Sequence, residues 1–181
     1  MTASLEPAAA PDRLRSELER LRTLVLDPSY AHPTFADLVL TYGRDYAPSP
    51  WTTGVHPQRG GECFAAAHSW ANRQGWTYCE GYALAAEPII GAFEHAWCLA
   101  EDGQVADPSV PDGWIVAYRG IPLSATFIRA HNRGDDAVIT FGRNLSAGPN
   151  TAVLRDGLPP EALVATPQVG DEARRLGTIG S

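Results

Sequence analysis

Cys63, His95 and Asp107 are the three side chains in this sequence whose types and order could carry out nucleophilic chemistry. A thiol becomes a good nucleophile when a base stands within hydrogen-bond reach. The imidazolium left after proton transfer then needs a carboxylate to orient and stabilise it. Cys63 ends the stretch GGEC, in front of a run, FAAAHSWANRQ, that reads as a helix closed by Gly75. The first amides of a helix are unpaired and carry partial positive charge, which favours an attacking thiolate. Gly60 and Gly61 have no side chains to keep a substrate from the backbone. The plain alternative is a small residue packed at a helix start, since free cysteine is among the most buried residue types.

His95 and Asp107 lie in EHAWCLAEDGQVADPS, two strand candidates joined by a turn around Asp102 and Gly103. Side chains alternate between the two faces of a strand, so loop length decides whether this pair can meet. A loop with an odd number of residues, such as 101–103, puts Trp97 opposite Asp107. His95 is then the diagonal neighbour on the same face, about 7–8 Å away between backbones and within side-chain reach. A two-residue loop would put His95 and Asp107 on opposite faces, so the functional reading requires an odd loop or a bulge.

The elements that must hold these residues follow from periodicity and punctuation. Leu14, Leu18, Leu21 and Val25 recur at helical spacing between Asp12, a candidate cap, and Pro28, a stop. A second helix follows Thr34, with Phe35, Leu38, Val39 and Tyr42 on one face and Gly43 at its end. The Pro- and Gly-rich segment 44–62 reads as a long loop, of the kind that often carries function. After the cysteine helix come strand candidates at WTYCEGYALA, FEHAWCLA, VADPS and GWIVAY, a helix at LSATFIRAHN and a fifth strand at DAVITF. Helices first and antiparallel strands after argue an α+β fold. Residues 1–10, small and Pro/Ala-rich, are expected to be disordered; 11–147 form one α+β domain; 148–181 form a Pro/Gly-rich extension with one helical turn at PEALVAT.

Composition narrows the partners. The formal net charge is −7, and all 14 basic residues are arginines with no run longer than Arg174-Arg175. Such a chain is poorly suited to nucleic acid or an anionic membrane. No segment has the apolar length of a membrane span, the N-terminus lacks the basic and apolar parts of a secretion signal, and three cysteines do not make a disulfide framework. The expectation is a cytoplasmic protein with free thiols. There is no C-x-x-C, no H-E-x-x-H and no phosphate-cradling glycine loop, so no metal or other cofactor is expected.

A cysteine before a helix, an aromatic strand with glycine (WTYCEGYALA), then HAW, a DG turn and DPS resembles the transglutaminase-like superfamily of papain-type folds, over roughly residues 60–110. The resemblance implies a Cys63–His95–Asp107 triad on a helix packed against an antiparallel sheet. It also implies acyl transfer or hydrolysis at a peptide or other amide through a thioester. It suggests Gln58 as an oxyanion-hole donor beside the Cys63 amide, with His56 and Trp51 as weaker candidates for that role or for lining the cleft. Trp97 shares a face with His95 and could shield it from water. Cys98 has the opposite parity and should point into packing, as should Cys79. His68 reads as a surface or core-edge residue, and Glu62 and Glu80 as solvated acids or substrate contacts. The alternative function is a non-catalytic module that uses the same cleft to bind a peptide or partner.

Overall fold

A computed structural model describes residues 9–24, 27–131, 137–140 and 149–164. Helix α1 (Ala10–Leu21) begins one turn earlier than Asp12 suggests, because Pro11 stands at its start with the φ that a first turn needs. Ala10, Leu14 and Leu18, spaced four apart, form its buried stripe. The helix ends at Leu21, and Val25 lies outside the described residues, as do 1–8. Helix α2 (Phe35–Tyr42) starts where its cap dictates, with the Thr34 hydroxyl accepting from the Asp37 N–H at 3.0 Å.

Strand β1 (Arg44–Tyr46) occupies the beginning of what the sequence presents as loop. The cysteine helix α3 (Cys63–Gln74) has the expected bounds and stops at Gly75, whose φ of 70° is the left-handed value glycine adopts without strain. Then come β2 (Thr77–Ala85), β3 (Ala92–Leu99), the two-residue β4 (Val105–Ala106) and β5 (Ile115–Pro122). They form one curled antiparallel sheet of five strands in the order β1-β5-β2-β3-β4, so the fold is α+β.

Central β2 is buried along almost its whole length because each face is covered. On one face Tyr78, Tyr82 and Leu84 join the main core with residues of α1, α2 and α3. On the other, Cys79 and Ala83 pack with Trp97, Ile115 and Tyr118. Close strand approach explains the glycine in WTYCEGYALA: a Cβ on Gly81 would stand 2.2 Å from the Arg119 carbonyl oxygen.

Glu80 departs from its expected role. It is fully buried, and its carboxylate accepts the backbone N–H groups of Val138, Ile139 (2.8 Å) and Thr140 (3.0 Å) and the Tyr78 hydroxyl (2.6 Å). Residues 137–140 are therefore an irregular segment gathered round a buried acid, rather than the expected fifth strand. His68, also buried, stacks on Tyr78 with ring centroids 3.9 Å apart.

Helix α4 (Ala125–His131) is capped by Ser124, whose hydroxyl accepts from the Phe127 N–H. The described part of the expected C-terminal extension belongs to the core. Helix α5 (Pro149–Asp156), the link after it and the 3-10 turn Pro160–Ala162 supply buried Val153, Leu154, Leu158 and Ala162, and Leu163 bridges to Leu123. A domain boundary at 147 would cut through this packing. Among the described residues no helix is long and apolar enough to cross a membrane.

Candidate active site

The β3–β4 hairpin sets the geometry. Cys98 pairs with Ala106 and Leu99 with Val105, so the loop is 100–104, an odd number of residues that places Trp97 opposite Asp107. His95 is the diagonal neighbour, and its Nε2 lies 2.6 Å from Asp107 Oδ2. Both residues are buried, at 2% and 8% exposure.

Asp107 is held from several directions. Pro108 ends the strand, and the chain turns so that Ser109 donates both its N–H (2.9 Å) and its hydroxyl (2.7 Å) to Oδ1. The Tyr118 hydroxyl donates to Oδ2 at 3.0 Å. Burial disfavours a charged carboxylate, yet His95 and Ser109 together hold Asp107 below the ordinary carboxylate value.

His95 shows the same contest. Burial lowers its basicity, Asp107 outweighs that by charge and hydrogen bond, and Cys63 adds a smaller contribution of both kinds, so the ring is pushed up to about 9. With Nε2 on Asp107, Nδ1 is the nitrogen left for the thiol.

Cys63 reaches this ring from the far side of the sheet. Helix α3 lies on the face of Tyr78 and Cys98, where Cys98 Sγ donates to the Ala67 carbonyl at 3.2 Å. His95, of opposite parity, packs with Trp97 and Tyr118 on the other face. A residue at the start of α3 can meet His95 only round a sheet edge. That edge is β3, whose pairing with β4 ends at Cys98 and Ala106, short of His95. A further tie brings the preceding loop to the same place, with the Arg59 N–H donating to Pro108 O at 3.4 Å.

The remaining sequence candidates fall elsewhere. Gln58 is exposed, with φ at 47° and its backbone N–H on His56 Nδ1. An exposed amide is not preorganised as an oxyanion donor. His56 packs against Trp51, and Trp51 sits edge-on to Trp70 at 4.8 Å and near Trp76 at 6.0 Å, with its backbone N–H on Asp112 and its indole N–H on the Thr53 carbonyl. These rings brace the loop before Cys63 against α3. Trp97 is fully buried, so it is a floor under His95 rather than a cleft wall. Glu62 is exposed beside Arg59, 3.9 Å away. Cys79 and Cys98 are buried, and burial pushes Cys98 up to about 12 and Cys79 well above its ordinary value.

Two contacts were missed from sequence, Ser109 and Tyr118. Ser109 carries a local signal, because an Asx-type turn puts a serine two residues after the aspartate. Tyr118 carries none, since its strand reaches Asp107 only through the folded sheet.

Hollows among the described residues flank α3. One, about 510 Å³, lies along its C-terminal half, between His68, Trp76, Ile128 and Arg129. A smaller one of about 210 Å³ flanks its first turns, lined by Arg59, Glu62, Ser69, Trp70 and Arg73. Neither is lined by Cys63, His95 or Asp107, so the cluster of titratable side chains rather than a cavity marks the candidate site. Among the described residues no group of three or more His, Cys, Asp or Glu side chains is arranged to hold a metal ion.

Chemically, the arrangement offers a half-buried thiol at a helix start, a base, and a carboxylate that fixes the base. No protein-family model matches this chain, and neither does any curated protein or any solved structure.

Proposed function

We propose that this chain is a thiol-dependent acyl-transfer enzyme of transglutaminase-like type, acting on a peptide or other amide. The observation that carries the reading is one imidazole bound to Asp107 through Nε2 at 2.6 Å and acted on by Cys63 as well. In the first stage His95 holds the Cys63 proton as an imidazolium while the thiolate Sγ attacks the carbonyl carbon. His95 then delivers that proton to the departing amine as the C–N bond breaks, leaving a thioester. In the second stage water or an amine gives its proton to His95 and attacks the thioester. The C–S bond breaks and the Cys63 thiolate leaves beside the His95 imidazolium, which restores the starting state. Asp107 stabilises the imidazolium in both stages and stays ionised. The Cys63 backbone N–H stands in the first turn of α3, where amides have no intrahelical acceptor, and serves as the oxyanion donor.

An activated ester, p-nitrophenyl acetate, tests this with no knowledge of the natural substrate. Wild-type protein should release nitrophenolate in a burst and carry acetyl on Cys63 in a peptide mass map. Cys63→Ala should show no burst, and His95→Ala should slow acetylation by about a hundredfold or more. Equal acetylation in all three proteins would remove the covalent mechanism and leave the peptide-binding module in its place.

A further inference from the structure

Asp107 Oδ2 receives two donors, His95 Nε2 at 2.6 Å and the Tyr118 hydroxyl at 3.0 Å. Tyr118 belongs to β5, two strands away from β3 in the sheet, and is 3% exposed. Its ring also flanks the site, with its centroid 6.2 Å from that of His95 and 4.9 Å from that of Trp97. An ionised carboxylate only accepts, so the phenol proton must point at Oδ2. Burial and the neighbouring Asp107 charge hold the Tyr118 pKa well above its ordinary value, so the phenol remains a donor across the working pH range.

We propose that Tyr118 is a positioning residue of the acyl-transfer site: by sharing the carboxylate oxygen that receives His95, its hydroxyl fixes the Asp107 carboxylate and limits the basicity that Asp107 confers on His95. The inference rests on the Cys63–His95–Asp107 reading. Its physical content is a division of charge. A proton donated to Oδ2 draws electron density away from the hydrogen bond to His95. Without it, the imidazolium faces a less solvated and more basic partner. A general base works best with a pKa near the operating pH, so a group that restrains His95 serves the second proton transfer as well as the first. The bland reading is that a buried phenol has merely found an acceptor. The two differ in whether His95 responds.

Asp107 and Cys63 are the ionisable groups that act on His95 directly, and Tyr118 acts through Asp107. Histidine labelled at 13Cε1 gives five signals at most, because the chain has five histidines, and His95→Gln identifies the relevant one. In wild-type protein this signal should titrate near 9. Tyr118→Phe keeps the ring and removes the hydroxyl, and should raise the midpoint by about half a unit or more. An unchanged midpoint in a folded Tyr118→Phe protein would overturn the proposal while leaving the triad intact. A wild-type midpoint at the ordinary imidazole value of 6.5 would instead overturn the ion pair, and both readings with it. Should Tyr118→Phe fail to fold, tyrosine labelled at 13Cζ in the wild-type protein decides. The Tyr118 signal should move as His95 titrates, and a flat Tyr118 signal would contradict the inference.

Discussion

At the scale of single residues, His95 is where burial and charge compete most directly. Burial alone would make it a weaker base than free imidazole, and the Asp107 carboxylate reverses the sign. Asp107→Asn should therefore drop the His95 midpoint from near 9 to below the ordinary 6.5, read by the same 13C titration. A midpoint that stays near 9 would mean that another group supplies the charge. Stability follows with a definite sign. The raised His95 pKa contributes stability that is fully present below about 6.5 and is lost as pH rises through about 9. The depressed Asp107 pKa contributes stability present above its ordinary 3.8 and lost as pH falls through its lower folded value. Urea midpoints should thus decline from pH 6.5 to 9 in the wild type, and the decline should be weaker in Asp107→Asn.

At the scale of elements, the hairpin was legible and its surroundings only partly so. Alternation along HAW and VAD, with a turn at Asp102-Gly103, constrained His95 and Asp107 to an odd loop, and 100–104 satisfies that constraint. The bounds of α3 were legible because Gly75 marks its end, and those of α2 because Thr34 and Gly43 bracket it. Strand β1 was not, since three residues are too few to display a period. Glu80 was misread because an acid in a strand normally faces water. Its partners, the N–H groups of 138–140, are almost sixty residues away in sequence. This contact predicts a penalty. In Glu80→Gln an amide NH₂ must face donors, and stability should fall by about 1–3 kcal/mol in urea unfolding. A change of a few tenths would mean that the segment finds other acceptors. Under the site, a Cβ at Gly120 would come within 2.4 Å of the Trp97 ring. Gly120→Ala should thus cost about 1–3 kcal/mol of stability by overpacking the floor on which His95 rests.

The whole molecule is held together by more of the chain than its composition suggests. The Pro- and Gly-rich character of residues 148–181 hid α5, whose Val153 and Leu154, with Leu158 and Ala162 beyond it, close the main core. Burying each large apolar side chain contributes about 1.5–3 kcal/mol, so together they approach the whole stability of an average domain. Truncation after residue 148 should yield a protein with no cooperative thermal transition, and an unchanged melting temperature would contradict that packing. The charge of −7 acts at this scale too, setting solubility and partner choice rather than fold. The intact molecule also carries its own controls for the central claim, in three thiols of which only Cys63 is neither fully buried nor far from an imidazolium. The most direct measurement is the rate of iodoacetamide labelling of each thiol in folded protein near pH 6, resolved by peptide mass mapping, in wild type and His95→Ala. Cys63 should react well ahead of Cys79 and Cys98, and loss of His95 should slow Cys63 by roughly tenfold or more while leaving its exposure unchanged. If Cys63 labels at the same rate with and without His95, the thiol is merely accessible and the acyl-transfer site does not exist.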